Sequence, residues 1–140
     1  MTTTQKIALL FPGQGAQYVG MGKDIYDASP VARDLLDRAD AALGGGFLDI
    51  LFNGPADELT ATHNSQPAIY AVSCAVHAAL AERMTDVAVV AAAGLSLGEY
   101  SALTAAGALD FDDGIRLVRQ RGELMQQAGT DAHGAMASIL

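Results

Sequence analysis

The sequence predicts an α/β protein with a parallel sheet, and three observations lead to that prediction. Residues 6–11 and residues 87–93 are short apolar runs bounded by turn-forming residues, as expected for buried strands. Longer segments with apolar residues at three- and four-residue steps separate and follow these runs, as expected for helices. A second strand that is reached through helices runs parallel to the first, because the crossover returns the chain to the same end of the sheet.

The first half of the chain divides into one strand and three helices. The strand at residues 6–11 ends at Pro12 and Gly13, and a glycine loop leads into a helix expected over residues 18–28. Ser29 and Pro30 predict the start of the next helix, since serine caps a helix N-terminus and proline suits its first position. That helix is expected to reach residue 43, where three glycines follow, and a short helical piece covers residues 47–52.

The second half predicts a long helix, a strand and two further helices. Residues 64–84 carry apolar side chains one turn apart, and Pro67 suits the first turn of that helix. Residues 87–93 show no alternation, which predicts a strand buried on both faces. Helices are expected at residues 97–106 and 111–128, the latter capped by Asp110 and ended by Gly129. Residues 134–140 look like the start of another strand, which suggests that the domain extends beyond this chain.

Composition and charge exclude several classes of protein. The 140 residues are 51% hydrophobic and 17% charged, which indicates a folded domain and not a disordered segment. Eight basic against 16 acidic residues give a net charge of −8, which disfavours nucleic-acid binding. The chain shows no secretory-signal pattern and no apolar run long enough to span a bilayer, and its single cysteine, Cys74, cannot form an internal disulfide. We therefore expect a cytoplasmic protein that binds neither nucleic acid nor membrane, with Cys74 in its core.

A serine between two glycines is the most informative local motif. Gly94-x-Ser96-x-Gly98 follows a predicted strand and precedes a predicted helix, the arrangement of a nucleophile elbow. In such a turn the strained serine projects its hydroxyl at the helix N-terminus, where free backbone N–H groups can stabilise an oxyanion. The alternative is a Gly-Ser turn that only joins a strand to a helix. Glu99, in the first turn of that helix, is interpreted as a partner of the helix dipole and not as a base.

An arginine lies on the apolar side of the last predicted helix. Arg121 shares one face with four apolar residues three or four positions away, namely Leu117, Val118, Leu124 and Met125. An arginine in such a place needs an anion, because an unpaired buried charge is costly. The functional interpretation is bidentate binding of a substrate carboxylate, and the alternative is a structural salt bridge. Arg119 lies off that face and is expected to pair with Glu123.

Four motifs occur in a characteristic order along the whole chain. They are Phe11-Pro12-Gly13-Gln14-Gly15, Gln66-Pro67-Ala68, Gly94-Leu95-Ser96-Leu97-Gly98-Glu99-Tyr100-Ser101-Ala102-Leu103 and Arg121-Gly122-x-x-Met125-Gln126. In order and spacing the chain resembles the malonyl-CoA:acyl carrier protein transacylase family and not the general α/β-hydrolases. The four motifs together are highly specific for that family.

The resemblance implies a role for each matching residue. Ser96 would carry the malonyl group as an ester, and the backbone N–H groups of Gln14 and Leu97 would form the oxyanion hole. Arg121 would bind the malonyl carboxylate, the group that distinguishes malonyl from acetyl. The implied fold is an α/β-hydrolase-like acyltransferase core with a nucleophile elbow. Two residues complete the implied substrate site, one close to the serine and one in the acyl pocket: Gln66 and Met125.

Two features depart from the family pattern. A histidine often precedes the catalytic serine, and Leu95 stands there in this chain, although that position is not the general base. The family's catalytic histidine lies downstream, beyond a ferredoxin-like subdomain, and residue 140 falls about where that subdomain would begin. Residues 1–140 are therefore expected to be the N-terminal part of an acyltransferase domain. His63, His77 and His133 do not match the family base and none has a second ligand at metal spacing, so we expect no metal and no cofactor.

Three functions are compatible with these residues. The first is transfer of malonyl from malonyl-CoA to Ser96 and then to the phosphopantetheine thiol of acyl carrier protein, in fatty acid biosynthesis or a polyketide pathway. The second is a serine acyl hydrolase, which would use water as the acceptor. The third is a non-catalytic fragment that binds acyl-CoA without a general base. The resemblance favours the first, with malonyl-CoA and acyl carrier protein as partners.

Overall fold

The computed structural model describes residues 4–131, and its elements form the predicted α/β class. Two strands, β1 (Gln5–Phe11) and β2 (Val87–Gly94), pair in parallel. Within the described range, five helices connect the strands and two follow β2. The helices are α1 (Lys23–Ala28), α2 (Pro30–Ala42), α3 (Phe47–Asn53), α4 (Ala56–Thr60), α5 (Thr62–Ala81), α6 (Gly98–Ala105) and α7 (Phe111–Asp131).

The register of the sheet brings two loops to one edge. Phe11 at the end of β1 pairs with Gly94 at the end of β2. A shift between Ile7 and Ala8 inserts one extra residue into β2, so that Phe11 lies opposite Gly94 and not opposite Ala93. Because parallel strands end at the same edge, the loops that follow β1 and β2 start side by side, where ligands bind in open α/β sheets.

The core lies mainly between helices. Helix α5 packs against both α2 and α7 and carries more buried positions than any other element of the described chain. Leu36 on α2 and Ile115 and Val118 on α7 are fully buried. The Tyr70 ring on α5 stacks on the Phe111 ring with centroids 5.6 Å apart. This helical core supports α7, the element that carries Arg121 and Met125.

Two glycines on α7 allow its close approach to α5. A Cβ at Gly114 would lie 2.0 Å from the Tyr70 hydroxyl oxygen. A Cβ at Gly122 would lie 2.8 Å from the His63 Cα and 2.8 Å from the Thr62 carbonyl oxygen. Contacts under 3 Å are not tolerated, so only glycine, which has no Cβ, fits at both positions at this distance between the helices.

Several predicted local features are confirmed. Ser29 caps α2 by accepting from the Ala32 amide at 3.4 Å, and Pro30 is the first helical residue. The Asp110 carboxylate accepts from the Asp112 amide at 2.8 Å at the start of α7. Cys74 is buried in the core.

Helix boundaries differ from the predictions by more than one residue in three helices, and α5 differs at both ends, since it stops at Ala81 and not at residue 84. Helix α1 begins at Lys23 and not near residue 18, because Gly20 and Gly22 take left-handed φ values of 91° and 77° that interrupt a helix. Helix α5 begins at Thr62, so Pro67 lies inside it and not in its first turn. Helix α7 continues through Gly129 to Asp131. The short helix α4 was not predicted, and the strand expected at residues 134–140 lies outside the described residues.

Two burial predictions are wrong for the described residues. The sheet is not covered on both faces, since Leu10 is 80% exposed and Val90 is 60% exposed. The reason is that, within residues 4–131, α6 is the helix that packs closely on both strands, and a single helix covers only one face of the sheet. On α7, Leu117 and Leu124 are also exposed, because α5 covers only the Val118 side of that helix. No helix within residues 4–131 combines the length and apolarity needed to cross a membrane.

Candidate active site

Ser96 lies in a strained turn between β2 and α6. Its φ is 52°, a left-handed value that is uncommon for a residue with a side chain. The strand ends at Gly94 and the helix begins at Gly98, so the turn comprises three residues. Such strain persists only where the surroundings hold it, and it concentrates at functional sites.

The two flanking glycines are required by backbone contacts. A Cβ at Gly94 would lie 1.9 Å from the Gly98 carbonyl carbon. A Cβ at Gly98 would lie 2.4 Å from the Phe11 carbonyl oxygen, at the end of the neighbouring strand. The start of α6 therefore packs directly on both strand ends, and this packing holds the Ser96 turn in place.

The loop after β1 packs against the same turn. A Cβ at Gly13 would lie 2.7 Å from the Leu95 carbonyl oxygen, so only glycine allows this approach. The Leu95 and Ser96 carbonyls accept from the amides of Gly98 and Glu99 at 2.9 and 3.2 Å. Within residues 4–131, the backbone amides of Gln14 and Leu97 donate no hydrogen bond to another residue.

Arg121 joins the serine turn to α5. Its Nη2 donates to Ser96 Oγ at 2.8 Å, and its Nη1 donates to Gln66 Oε1 at 2.7 Å. The guanidinium carbon lies 5.6 Å from the centre of the Tyr100 ring, a cation–π contact. The ion pairs of residues 4–131 involve other side chains, so the alternative interpretation of Arg121, a structural salt bridge, finds no partner there. Its partners in this range are neutral.

Gln66 and Met125 extend this set of contacts. Gln66 is fully buried on α5, and its Nε2 lies 3.1 Å from the sulfur of Met125 on α7. The amide orientation follows from its partners, because the oxygen must face the Arg121 donor. Gln14 approaches from the opposite side, where its Nε2 lies 3.4 Å from Thr62 Oγ1 at the start of α5.

These residues surround one open cleft of about 520 Å³. Five of the six residues expected from the sequence line it, and the sixth, Gln66, lies behind Arg121. The lining residues are Gly13, Gln14, Gly15, Gln17, Thr60, Leu95, Ser96, Leu97, Arg121 and Met125.

The contributors to the site that were not predicted include Gln17, which lines the cleft, and two further residues. Thr60, at the end of α4, lines the cleft, and Tyr100 packs against the guanidinium of Arg121. The spacing of Tyr100 was a usable signal, since a residue four positions after Ser96 lies one turn along the following helix. No local signal pointed to Thr60, because its place depends on how α4 packs.

The histidines have other partners. His63 Nδ1 lies 2.9 Å from Gln126 Oε1, and the His77 ring packs edge-on against Phe11 with centroids 6.2 Å apart. His133 lies outside the described residues. In residues 4–131, no group of three histidine, cysteine or acidic side chains is arranged to hold a metal ion.

Cys74 and Tyr70 are buried in the core, away from the cleft. Burial raises the pKa of the Cys74 thiol to about 12 and also raises the pKa of Tyr70. The Tyr70 hydroxyl lies 2.8 Å from Thr104 Oγ1. A thiol with so high a pKa carries almost no thiolate near neutral pH, which agrees with a packing role.

The fold and this serine–arginine site define a class of protein. Residues 8–140 match the family model for the acyl transferase domain. The chain therefore belongs to the acyl transferase domain family.

Within that class, the similar proteins are malonyl CoA-acyl carrier protein transacylases, which confirms the predicted resemblance. One from Bacillus subtilis (strain 168) is 50% identical over 135 residues, which is 96% of this chain and 42% of the relative. A solved structure of MCAT from Streptococcus pneumoniae has a TM-score of 0.82 and 46% identity over 89% of this chain and 39% of that one. A malonyl-transacylase in complex with a type II PKS acyl-carrier protein has a TM-score of 0.82 and 43% identity over 89% and 40% of the two chains. The chain thus spans about two fifths of the length of the Bacillus relative.

Proposed function

We propose that this chain carries the serine and the carboxylate-binding residues of a malonyltransferase. The enzyme would move malonyl from coenzyme A to Ser96 and then to the phosphopantetheine thiol of acyl carrier protein, in fatty acid biosynthesis. The observation that carries the proposal is the 2.8 Å contact between Arg121 Nη2 and Ser96 Oγ. It puts a cation beside the hydroxyl to which the acyl group would be attached. The names of the similar proteins support the same transfer.

The chemistry begins with Ser96 in the role of nucleophile. Its Oγ attacks the thioester carbonyl carbon, the C–S bond breaks, and coenzyme A leaves as the thiol while an ester forms on the serine. The strained turn, with β2 before it and α6 after it, supports its interpretation as a nucleophile elbow. The amides of Gln14 and Leu97, which donate to no other residue within residues 4–131, would bind the oxyanion. Attack of the carrier thiol on the ester then completes the transfer.

Arg121 would determine which acyl group is accepted. A malonyl group on Ser96 carries a free carboxylate that can replace Ser96 Oγ and bind the guanidinium in a charge-assisted contact. Gln66 and Tyr100 hold the guanidinium from the other sides, so it keeps its orientation during this exchange. An acetyl group offers no such partner, and the difference in binding favours malonyl.

The serine proton needs an acceptor that Arg121 cannot supply, since a guanidinium only donates hydrogen bonds. We assign this role to the downstream histidine that the family resemblance implies. Residues 1–140 would then be the N-terminal part of an acyltransferase domain. A second candidate function follows from the same contact. With a cation as the partner of Ser96 within residues 4–131, the chain alone would bind malonyl-CoA and turn it over slowly or not at all.

The test compares two proteins. One is the 140-residue chain, and the other is a chimera in which this chain replaces the matching segment of the Bacillus subtilis relative. Intact-protein mass spectrometry measures the serine ester, and a transfer assay measures malonyl on acyl carrier protein. We expect the chimera to form the ester and transfer it, and its Ser96→Ala variant to do neither.

The outcomes separate the three functions. A folded chimera that neither acylates nor transfers overturns the proposal. An ester that is lost to water at the same rate with and without acyl carrier protein identifies a hydrolase. Malonyl-CoA binding by the 140-residue chain, without a gain in covalent mass, identifies acyl-CoA binding as the activity of the chain by itself.

A further inference from the structure

We infer that Arg119 is a positioning residue for the proposed carboxylate site. Its guanidinium ties α7 to the first turn of α5 and thereby sets Gln66 opposite Arg121. The role assigned to Arg121 rests on the proposed function, whereas the contacts of Arg119 are independent of it. Arg119 was expected to pair with Glu123, and it does so at 2.8 Å, but its other contacts reach across to α5.

The first contact exists because Pro67 lies inside α5. In a regular helix the carbonyl of His63 would accept from the amide four residues later, which is Pro67, and proline has no N–H. The freed carbonyl accepts from Arg119 Nη1 at 3.0 Å. The backbone carbonyl that proline leaves unpaired in α5 is therefore hydrogen-bonded by a side chain of α7, and this contact joins the two helices.

The second contact uses the next residue of α5. Arg119 Nη1 also donates to Asn64 Oδ1 at 2.7 Å. Asn64 is 5% exposed, and its own Nδ2 donates to the Glu58 carbonyl at 2.9 Å, which ties the same point to α4. One guanidinium thus donates hydrogen bonds through Nη1 to a backbone carbonyl and to a buried side-chain amide oxygen, while its Nε donates to the Glu123 carboxylate.

The neighbouring residues of α7 reinforce this connection. Gln126 Oε1 accepts from the His63 amide at 3.4 Å and lies 2.9 Å from His63 Nδ1. Gly122, between Arg119 and Gln126, allows the Thr62 and His63 backbone to approach. Successive turns of α7 therefore contact residues 62–64.

The consequence for the site follows from the sequence offset. Gln66 comes two residues after Asn64, and Arg121 comes two residues after Arg119. Asn64 and Gln66 lie on α5, and Arg119 and Arg121 lie on α7. The contacts of Arg119 therefore fix how far one helix is shifted along the other, and this shift brings Gln66 Oε1 to 2.7 Å from Arg121 Nη1. Displacement of one helix end by about 1 Å suffices to lose a catalytic geometry. Loss of Arg119 would free the guanidinium of Arg121 to rotate away from Ser96.

A simple charge effect is the competing explanation, since Arg119 adds a positive charge near the cleft. Asn64→Ala separates the two, because it removes an acceptor of Arg119 and leaves every charge in place. Arg116→Gln is the matched control: Arg116 is also on α7, is exposed, and pairs only with Asp113 within the described residues, at 3.7 Å.

The experiment has two independent readouts. In the 140-residue chain, NMR follows the side-chain amide signal of Gln66, which needs no substrate. In the chimera, the ratio of kcat/KM for malonyl-CoA to that for acetyl-CoA measures selectivity. We expect Arg119→Gln and Asn64→Ala to shift the Gln66 signal and to lower the ratio by about tenfold or more, without additivity in the double variant. Arg116→Gln leaves both readouts at the wild-type values, and thermal unfolding identifies variants that have lost the fold.

Each other outcome overturns the inference. An unmoved Gln66 signal in Arg119→Gln means that Arg119 does not position that side chain. A moved signal with unchanged selectivity means that the position of Gln66 does not matter for the acyl group. An equal loss in Arg119→Gln and Arg116→Gln, with wild-type behaviour in Asn64→Ala, assigns the effect to charge. If the parent chimera shows no malonyl preference, the proposed function fails, and the NMR arm still reports separately whether Arg119 holds Gln66.

Discussion

Arg121 on α7 and Ser96 in the turn after β2 are hydrogen-bonded at 2.8 Å although 25 residues separate them in the chain. The other terminal nitrogen of the guanidinium, Nη1, donates to Gln66 Oε1 on α5 at 2.7 Å. A cation fixed by neutral partners beside a strained serine can take up an anionic acyl group without first breaking an ion pair. The following predictions test this arrangement and the packing that supports it.

Replacing the arginine should change acyl-group preference. In the chimera, we expect Arg121→Ala to weaken malonyl transfer by about 2–4 kcal/mol, because a charge-assisted contact to the carboxylate is lost. Acetyl transfer should stay similar or improve, since acetyl makes no such contact. The measurement is kcat/KM for both acyl-CoA substrates. Equal losses for the two would make Arg121 a structural residue.

A carboxylate in place of the buried glutamine should occupy the arginine. In Gln66→Glu the new oxygen lies at the position that now accepts from Arg121 Nη1. We expect an internal ion pair that competes with the substrate, with malonyl-CoA KM raised by at least about tenfold and the folded state retained. Gln120→Glu adds the same charge at an exposed position of α7 and serves as the control. An equal effect of both variants would indicate general repulsion of the substrate.

Two glycines of α7 should respond to alanine in opposite directions. Gly122→Ala places a Cβ 2.8 Å from the Thr62 carbonyl oxygen, and we expect it to lower the free energy of unfolding by about 1–3 kcal/mol. A Cβ at Gly129 meets nothing within 4 Å, so Gly129→Ala should raise it by about 0.5–1 kcal/mol through helix propensity. Urea unfolding of the 140-residue chain measures both. Similar responses at the two positions would contradict the close α5–α7 contact.

Alkaline pH should destabilise the protein through Cys74. The folded-state pKa of about 12 lies above the ordinary thiol pKa of 9.0, so between these values the unfolded thiol loses its proton while the folded one keeps it. Unfolding then releases a proton, and the free energy of unfolding falls by up to about 1.4 kcal/mol per pH unit in that window. Below pH 9 this contribution is fully present.

The matched variant for this prediction is Cys74→Ala, which removes the titrating group. We expect its free energy of unfolding to fall less steeply than that of the wild type between pH 8.5 and 10.5, a range that spans the unfolded thiol pKa. Urea unfolding at several pH values gives both slopes. Identical slopes in the two proteins would show that the Cys74 thiol is not protected from ionisation by the fold.

Local sequence was sufficient to predict the helix caps and the turn that contains Ser96. Ser29 and Asp110 cap their helices as predicted. The Gly94-x-Ser96-x-Gly98 segment forms a tight turn in which a Cβ at Gly94 has no room beside the Gly98 backbone, four residues along the chain. Such features involve residues a few positions apart, where spacing and side-chain type are sufficient.

Tertiary structure decided what depends on distant residues. The periodicity of α7 could not show that Val118 would be fully buried while Leu117 and Leu124 are exposed. Packing against α5 buries only one side of α7, and the position of α5 is not encoded in the α7 segment. Sequence spacing also gave Arg119 one partner, Glu123, whereas the fold adds two from residues 55 and 56 positions away. The proline that frees the His63 carbonyl was visible in the sequence, but the side chain that donates a hydrogen bond to that carbonyl, Arg119, was not. Hydrogen-bond partners on different elements are set by helix packing, and packing is a property of the whole fold and not of any segment.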